Sequence, residues 1–529
     1  MDSNTPFDGN KTSGDNTTLW TLTAPQQSSI TGPDRYPPLT GPLETEVLVI
    51  GGGIAGLTTA YRIAQSGLKV TVVEDGFLGS GETSRTTAHL TYVLDERYSD
   101  IIDLFGEDHA RQVGESHREA IAWIKATVER EGIDCHFRTI DGYLFTHPSD
   151  TEANLLKELD ATQRIGIESS LLESVPGISG EEGKPAILLP GQGQLHSLYY
   201  IKGLAEAIIR MGGSIYTNSK ALDISTEGAT VNGHTVRAKH IVVATYTAMN
   251  DVLRMHTRQW PYRSYAIAAK VPKGKRAYAL WWNTGNMDSP WITKPYQYAR
   301  LEPCDDTHDF LLVGGEDHRT GQADDEGIPE KERAERLFAW ALEHFPDMEE
   351  VVASWSGQIL YSIDGLGFTG RNPGNDNIYI ITGDSGNGMT YATIGAAVIT
   401  DLINGKENPW ATLYDPSRSI RKKTRNYLHE LGNMVKQYAD WLTPGDKTTL
   451  EDLKPGEGAV IRSGLKKLAV YRNEYNELHT CSAVCPHLGG IVQWNAEEKT
   501  FDCPLHGSRF TVEGTVLNGP ANEGLKAVE

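Results

Sequence analysis

At 529 residues the chain is too long for one hydrophobic core, so two or more domains are expected. Its 39% apolar and 8% aromatic content, with Gly and Pro spread throughout, excludes a disordered or fibrous chain. A net charge of −21 repels polyphosphates, which argues against nucleic acid and anionic membranes as partners and leaves small molecules and other proteins.

Residues 1–40 are rich in Ser, Thr, Asn, Asp and Pro and read as a flexible tail, with Trp20 and Leu22 as the points that pin it to the body. The N-terminus has neither a basic start nor an apolar run, and no stretch approaches the roughly 18 apolar residues of a membrane helix. Neither export nor a membrane span is expected. Five cysteines (Cys135, Cys304, Cys481, Cys485 and Cys503) are an odd, sparse set, unlike a disulfide framework, and fit a reducing cytoplasm.

The first strong motif begins at Thr45, TEVLVIGGGIAGLTTAYRIAQSGLKVTVVEDG. Val47 to Ile50 form a buried-strand run, Gly51, Gly53 and Gly56 make GxGxxG, Leu57 to Gln65 carry helical periodicity, and a second strand, Val70 to Val73, ends at Glu74. Gly51 permits a tight turn, Gly53 lets a pyrophosphate approach the backbone, and Gly56 lets the helix pack on the strand. The helix N-terminus supplies N–H donors to phosphate, and Glu74 is placed to accept from an adenosine ribose. FAD and NAD share this fingerprint.

Three later segments, with GSGETSRTTAHLT at 79–91, separate the two. They are LYYIKGLAEAIIRMGGSIYTNSKALDI (198–224), AKHIVVATYTAMN (238–250) and NIYIITGDSGNGMTYATIGAAVITDLINGKENP (377–409). In their order the chain resembles the D-amino acid oxidase-like flavoprotein superfamily, which includes glycine oxidase and sarcosine oxidase. The resemblance implies FAD. It departs where the family usually has Gly after Ala-Thr or Ala-Ala, since Tyr246 follows Ala244 and Thr245 here. The cofactor contacts it implies are Gly51, Gly53, Ile54, Ala55, Gly56, Glu74 and Asp75 from the first segment, and Ser84, Arg85, Thr86, Thr87 and His89 from the second. Strand ends add Ala221, Ala244 and Thr245, and the closing turn and helix add Gly383, Gly386, Asn387, Gly388 and Met389. In that turn the glycines free backbone N–H groups, and the following helix directs its positive end at an electron-rich ring.

Residues 92–190 and 255–364 leave the βαβ rhythm, with an alternating strand at 309–315 and an amphipathic helix at 331–345. By resemblance they build a substrate domain over the flavin. Candidate catalytic residues are His89, in the region where some relatives tether the flavin through a histidine, with a non-covalent polar contact or a packed histidine as the alternative, and Tyr265 and Tyr361, for which a core role with a satisfied hydroxyl is the alternative.

Resemblance to the flavoprotein fades near 440. Residues 441–458 have linker composition, and a small β pattern fills 459–529. Within it Cys485-Pro-His487 and Cys503-Pro-Leu-His506 are separated by fifteen residues. This C-x-H, C-x-x-H order resembles a Rieske 2Fe-2S domain, which implies that the two thiolates hold one iron and the two imidazoles the other. A structural zinc site is the alternative. Gly490 and Leu505 stand where respiratory Rieske proteins carry a loop disulfide, leaving Cys481 as a packed thiol. Ser508 matches a serine that donates to a cluster sulfur, while Arg509 and Phe510 follow in place of a tyrosine, which implies an intermediate potential.

The fold expected is therefore an α/β Rossmann-like FAD-binding domain (41–91, 191–254 and 365–415) with an α+β substrate domain, plus a small all-β Rieske domain. The function expected is a dehydrogenase that oxidises an amine or amino-acid-like substrate by hydride transfer to FAD and passes electrons singly through the cluster to an external acceptor. Two alternatives remain: a 2-hydroxy acid dehydrogenase or flavin monooxygenase-like enzyme on the same scaffold, and an electron-transfer protein charged through the cluster by a donor protein.

Overall fold

The computed structural model describes residues 13–24, 32, 34–249, 255–289, 291, 293–323, 328–419, 432–433, 436–438, 441, 445 and 449–528. The β-branched runs of the GxGxxG segment and its partners form a parallel core sheet in the order Ile378–Thr382, His234–Val243, Leu43–Ile50, Val70–Val73, Ser214–Tyr216. Strands buried on both faces tolerate such near-continuous apolar sequences, and Val47, Leu48, Val49, Val72 and Val242 have no exposed surface. Helices Ile54–Gln65 and Gly388–Ile403 pack on this sheet and on each other. Both begin at the same sheet edge, directly after the Ile50 and Thr382 strand ends.

A second, nine-stranded sheet is mostly antiparallel and carries the substrate-domain sequences, with Gln259–Pro272 between Val351–Ser362 and His308–Arg319. The helix expected at 331–345 is Glu330–His344, and it packs on this sheet through Leu337 and Ala341. The Rieske segment forms a three-stranded sheet (Gly458–Ser463, Lys466–Arg472, Leu478–Ser482) and a four-stranded one (Gln493–Asn495, Thr500–Asp502, Arg509–Phe510, Val516–Asn518) around its own core of Val460, Ile491, Phe501 and Phe510. Among the described residues no helix is long and apolar enough to cross a membrane.

The tail expectation needs correction for residues 13–24; residues 1–12 and 25–31 lie outside the described residues. Thr18 caps the short helix Leu19–Thr23. Trp20 is fully buried, its indole donating to the Thr86 carbonyl at 2.5 Å with Arg300 over its ring. Leu22, expected as a second anchor, is exposed. Thr23 is held instead, its hydroxyl 2.9 Å from His196 Nε2 and its carbonyl accepting from Tyr199 at 2.7 Å. In the stretch read as linker, Leu453 is buried against Ala459, Ile461 and Val470.

The Rieske domain is clasped to the flavoprotein body by buried charge. Glu498 Oε1 accepts from Arg85 at 2.7 Å and from the Ser356 backbone and hydroxyl at 2.9 and 2.7 Å, with Arg263 at 3.6 Å. Its Oε2 accepts from Asn16 N at 3.1 Å. Burial alone would raise this carboxyl, but Arg85, Arg263 and Arg509 hold it at about 2. Arg509 pairs with Asp502 at 3.0 Å and donates to the Ser13 carbonyl, so the N-terminal segment is a third party to the interface.

Candidate active site and cluster-binding site

Three adjoining cavities run along the sheet edge. The largest, about 390 Å³, is walled by Gly51, Gly53, Ile54 and Ala55, by Glu74 and Asp75, and by Ala221, Ala244, Thr245 and Gly388. Gly51 has φ +110, and a Cβ there would lie 2.4 Å from the Ala244 carbonyl oxygen. A Cβ on Gly56 would sit 1.8 Å from the Gly51 carbonyl, so this residue packs helix on strand and stays off the cavity wall. Gly53 at the cap position brings no side chain, and of the first-turn N–H groups that of Ile54 is taken by the Thr83 hydroxyl; a glycine-capped helix N-terminus on the cavity wall suits a phosphate. Glu74 is fixed by N–H donors from Gly52 (2.6 Å) and Gly76 (2.9 Å). Burial and the neighbouring Asp75 push it well above the usual carboxylate range. The set fits a dinucleotide.

Thr515 to Gly519 and Ala521, all from the Rieske domain, close the same cavity. Local sequence holds no sign of this. Thr83 was also missed: its hydroxyl accepts from Ile54 N at 3.0 Å and faces the cavity.

A second cavity of about 130 Å³ continues from the first between Ile54, Glu82 and Thr83 on one side and Gln358, Gly386 and Met389 on the other. A third, about 70 Å³, shares Thr86, Thr87, Tyr298, Gly386, Gly388 and Met389 with it and adds His89, Asp95, Trp282, Tyr296, Asp317 and Asn387. Helix Gly388–Ile403 begins here, and its cap Asn387 makes no side-chain capping bond. Gly383 lies off the cavity walls; with φ +68 it shapes the preceding turn.

Two expected contacts turn elsewhere. Ser84 donates to the Gly81 carbonyl at 3.0 Å, inside its own 3-10 turn. Arg85 lines the second cavity but sends its guanidinium to Glu498, a charge-assisted partner buried beside it. His89 Nδ1 is 3.1 Å from the Thr87 hydroxyl, its Nε2 is buried without a hydrogen-bond partner, and burial pushes its pKa down to about 3. It is a neutral ring at the cavity wall.

Tyr265 spends its hydroxyl on His318 at 2.9 Å. Tyr361 is different, donating to Asp95 Oδ2 at 2.6 Å with Asp317 Oδ2 at 3.2 Å. Tyr296 donates to the other oxygen of Asp95 at 2.7 Å. Asp317 Oδ1 is buried with no hydrogen-bond partner. Burial pushes Asp95 up to about 6 and Asp317 up to about 7. Neither aspartate was legible as a site residue, since they lie more than 200 positions apart and meet only through the sheet.

In the Rieske domain the thiols of Cys485 and Cys503 are in hydrogen-bonding contact, and the rings of His487 and His506 lie 5.0 Å apart at 85°. Backbone N–H groups of His487 and Leu488 and the Ser508 hydroxyl point at the Cys485 sulfur, and those of Leu505 and His506 at Cys503. Both ring nitrogens of buried His506 lack a partner in the protein. Paired thiols ringed by donors, beside paired imidazoles, fit a 2Fe-2S cluster. A Cβ at Gly490 would meet Leu505 at 2.7 Å, so these residues pack where a disulfide would cross, and Cys481 is a buried free thiol donating to Glu513 O at 3.4 Å.

Fold and site together define a flavoprotein oxidoreductase carrying an iron–sulfur domain. The chain belongs to the FAD dependent oxidoreductase family, whose pattern matches residues 46–402, and it carries a Rieske [2Fe-2S] domain at 447–529. It is similar over nearly its whole length to a protein named for its Rieske 2Fe-2S iron-sulfur centre, YhfW of Bacillus subtilis (strain 168). The two are 32% identical across 93% of this chain and 95% of that protein. Gamma-glutamylputrescine oxidoreductase of Escherichia coli (strain K12) is 27% identical across 70% of this chain and 87% of its own length. The crystal structure of glycine oxidase from Geobacillus kaustophilus superposes with a TM-score of 0.57 at 20% identity, over 72% of this chain and all of that one.

Proposed function

We propose that this protein is an amine dehydrogenase in which a cationic amine binds in the cavity of Asp95 and Asp317 and its electrons leave singly through the Rieske centre. The observation that carries this reading is the pair of buried carboxylates beside the Gly386–Met389 turn, bridged by Tyr361 and flanked by the rings of Trp282, Tyr296 and Tyr298. Two acids and an aromatic wall favour an ammonium group, through charge and cation–π attraction. Arg97 also reaches this wall, which leaves a place for a carboxylate at the substrate's far end. That the similar E. coli protein is named as an oxidoreductase of gamma-glutamylputrescine, an amine, supports the same class.

Bound FAD would supply the hydride acceptor and the cluster a one-electron carrier. The chain's own work is to bind, orient and deprotonate. Asp317, poised near 7, takes a proton from the substrate ammonium at Oδ1, so that the amine reacts as the neutral base. Tyr361 and Tyr296 keep Asp95 oriented throughout. Loss of hydride from carbon and a proton from nitrogen leaves an imine, which water hydrolyses, and two electrons leave to two equivalents of a one-electron acceptor protein. None of the five cysteines is in a disulfide, which fits a reducing cytoplasm.

The test is anaerobic mixing of the holoprotein with primary amines, N-methyl amino acids and 2-hydroxy acids, followed at the flavin absorbance. Bleaching by an amine is expected. Bleaching by a 2-hydroxy acid alone would favour the other dehydrogenase reading.

A further inference from the structure

Outside the catalytic cavities, an imidazole of the flavoprotein body stands against the cluster. His256 is 3% exposed, and its ring lies 4.9 Å from that of His487 at 72° and 5.6 Å from that of His506 at 66°. With the 5.0 Å, 85° pair of ligands this makes a trio of mutually edge-on imidazoles, one from the body and two from the Rieske domain. Edge-to-face rings attract through their quadrupoles, and a ring with one nitrogen anchored cannot rotate to relieve a misfit. His256 is anchored: its Nε2–H donates to the Ala248 carbonyl at 3.0 Å. Ala248 lies between Thr247 and Met249, both on the wall of the dinucleotide cavity. An apolar side chain would fill the same space without the fixed tilt or the link to that wall.

We propose that His256 is a positioning residue that braces both cluster-bound imidazoles from the flavoprotein side and couples the cavity wall to the cluster through the Ala248 hydrogen bond. By fixing the tilt of the two ligand rings it sets the geometry on which the cluster's potential depends. Groups that orient metal-bound histidines tune the metal in this way. The same contact lets electrons cross between body and domain along a short run of bonds. Docking then sets the cluster's properties as well as its distance.

The experiment uses the full-length holoprotein and the variants His256→Leu and His256→Phe, with iron and sulfide content, EPR of the reduced cluster, its midpoint potential, and the rate of electron re-equilibration after a light pulse reduces the flavin. His256→Leu is expected to shift the EPR g-values and the midpoint potential and to slow re-equilibration about tenfold or more. His256→Phe, which keeps a ring but loses the anchor, is expected to recover the EPR signature more than the rate. Loss of iron in the leucine variant with retention in the phenylalanine variant also supports the brace. Unchanged g-values and potential in His256→Leu, or equal loss of iron in both variants, would overturn the proposal. The spectroscopic half depends on the cluster alone. Only the kinetic half rests on the flavin-to-cluster transfer proposed above, so an absent transfer in the unaltered protein would count against that reading and leave the brace to the EPR result.

Discussion

Glu498→Gln is the sharpest test of how the two domains are held together. The carboxylate sits in the interface fully buried, receiving Arg85, Ser356, Asn16 and the nearby charge of Arg263. Held at about 2, it lies about two units below an unfolded glutamate, which corresponds to about 3 kcal/mol of stability. Because the folded value is depressed, that contribution is present above about pH 4.3, the unfolded value, and is lost as pH falls toward 2. The amide cannot balance Arg85 or Arg263, and leaving such charges buried without a partner costs about 3–5 kcal/mol. Two routes therefore give similar magnitudes. The assay is thermal unfolding followed separately at flavin fluorescence and at the cluster's visible bands. The cluster transition is expected to fall well below the flavin transition in the variant, and the cluster EPR to move toward that of His256→Leu as docking loosens. Unchanged transitions together with an unchanged EPR spectrum would refute the clasp.

The site makes its own predictions. Asp317→Asn is expected to lower kcat/KM for an amine by about 100-fold or more, measured by steady-state dye reduction. In the unaltered protein kcat/KM rises with pH through about 7 as Asp317 ionises, and this acid limb is expected to disappear in the variant. Tyr361→Phe removes a donor to both carboxylates. Since hydrogen bonds to charged groups contribute about 1.5–3 kcal/mol, the acid limb is expected to move about a unit or more toward higher pH. Cys485→Ser should abolish the cluster EPR while the flavin absorbance remains, and amines should still bleach the flavin without reducing a one-electron acceptor. Ser508→Ala is expected to lower the cluster midpoint potential in voltammetry, since it deletes a hydrogen bond to a cluster ligand.

What sequence made legible is local in chain position. The GxGxxG turn, the Glu74 strand end and the Cys-x-His and Cys-x-x-His loops each place their chemistry within a few residues, so spacing alone brings it together. Asp95 and Asp317 meet only because the nine-stranded sheet carries His308–Arg319 past the loop after His89–Leu90. No periodicity encodes that encounter. Arg85 lines the second cavity with its neighbours of the flavin segment, but its charge is claimed by a residue more than 400 positions away, which no local spacing encodes. Trp20 was legible as an anchor of the N-terminal segment, but the packing of its polar neighbours was not, because their composition suits solvent and the slot that buries Trp20 is supplied by the folded body. His256 was one histidine among sixteen, and nothing in its surroundings along the chain marks it as a neighbour of the cluster ligands.

The most direct measurement is an anaerobic titration of the holoprotein with the amine that best bleaches the flavin, following flavin absorbance and the reduced-cluster EPR signal in the same samples. The account predicts that the amine reduces the flavin and that the cluster signal grows at its expense. A cluster that stays oxidised beside a fully reduced flavin would contradict it, as would a flavin that responds only to electrons supplied through the cluster.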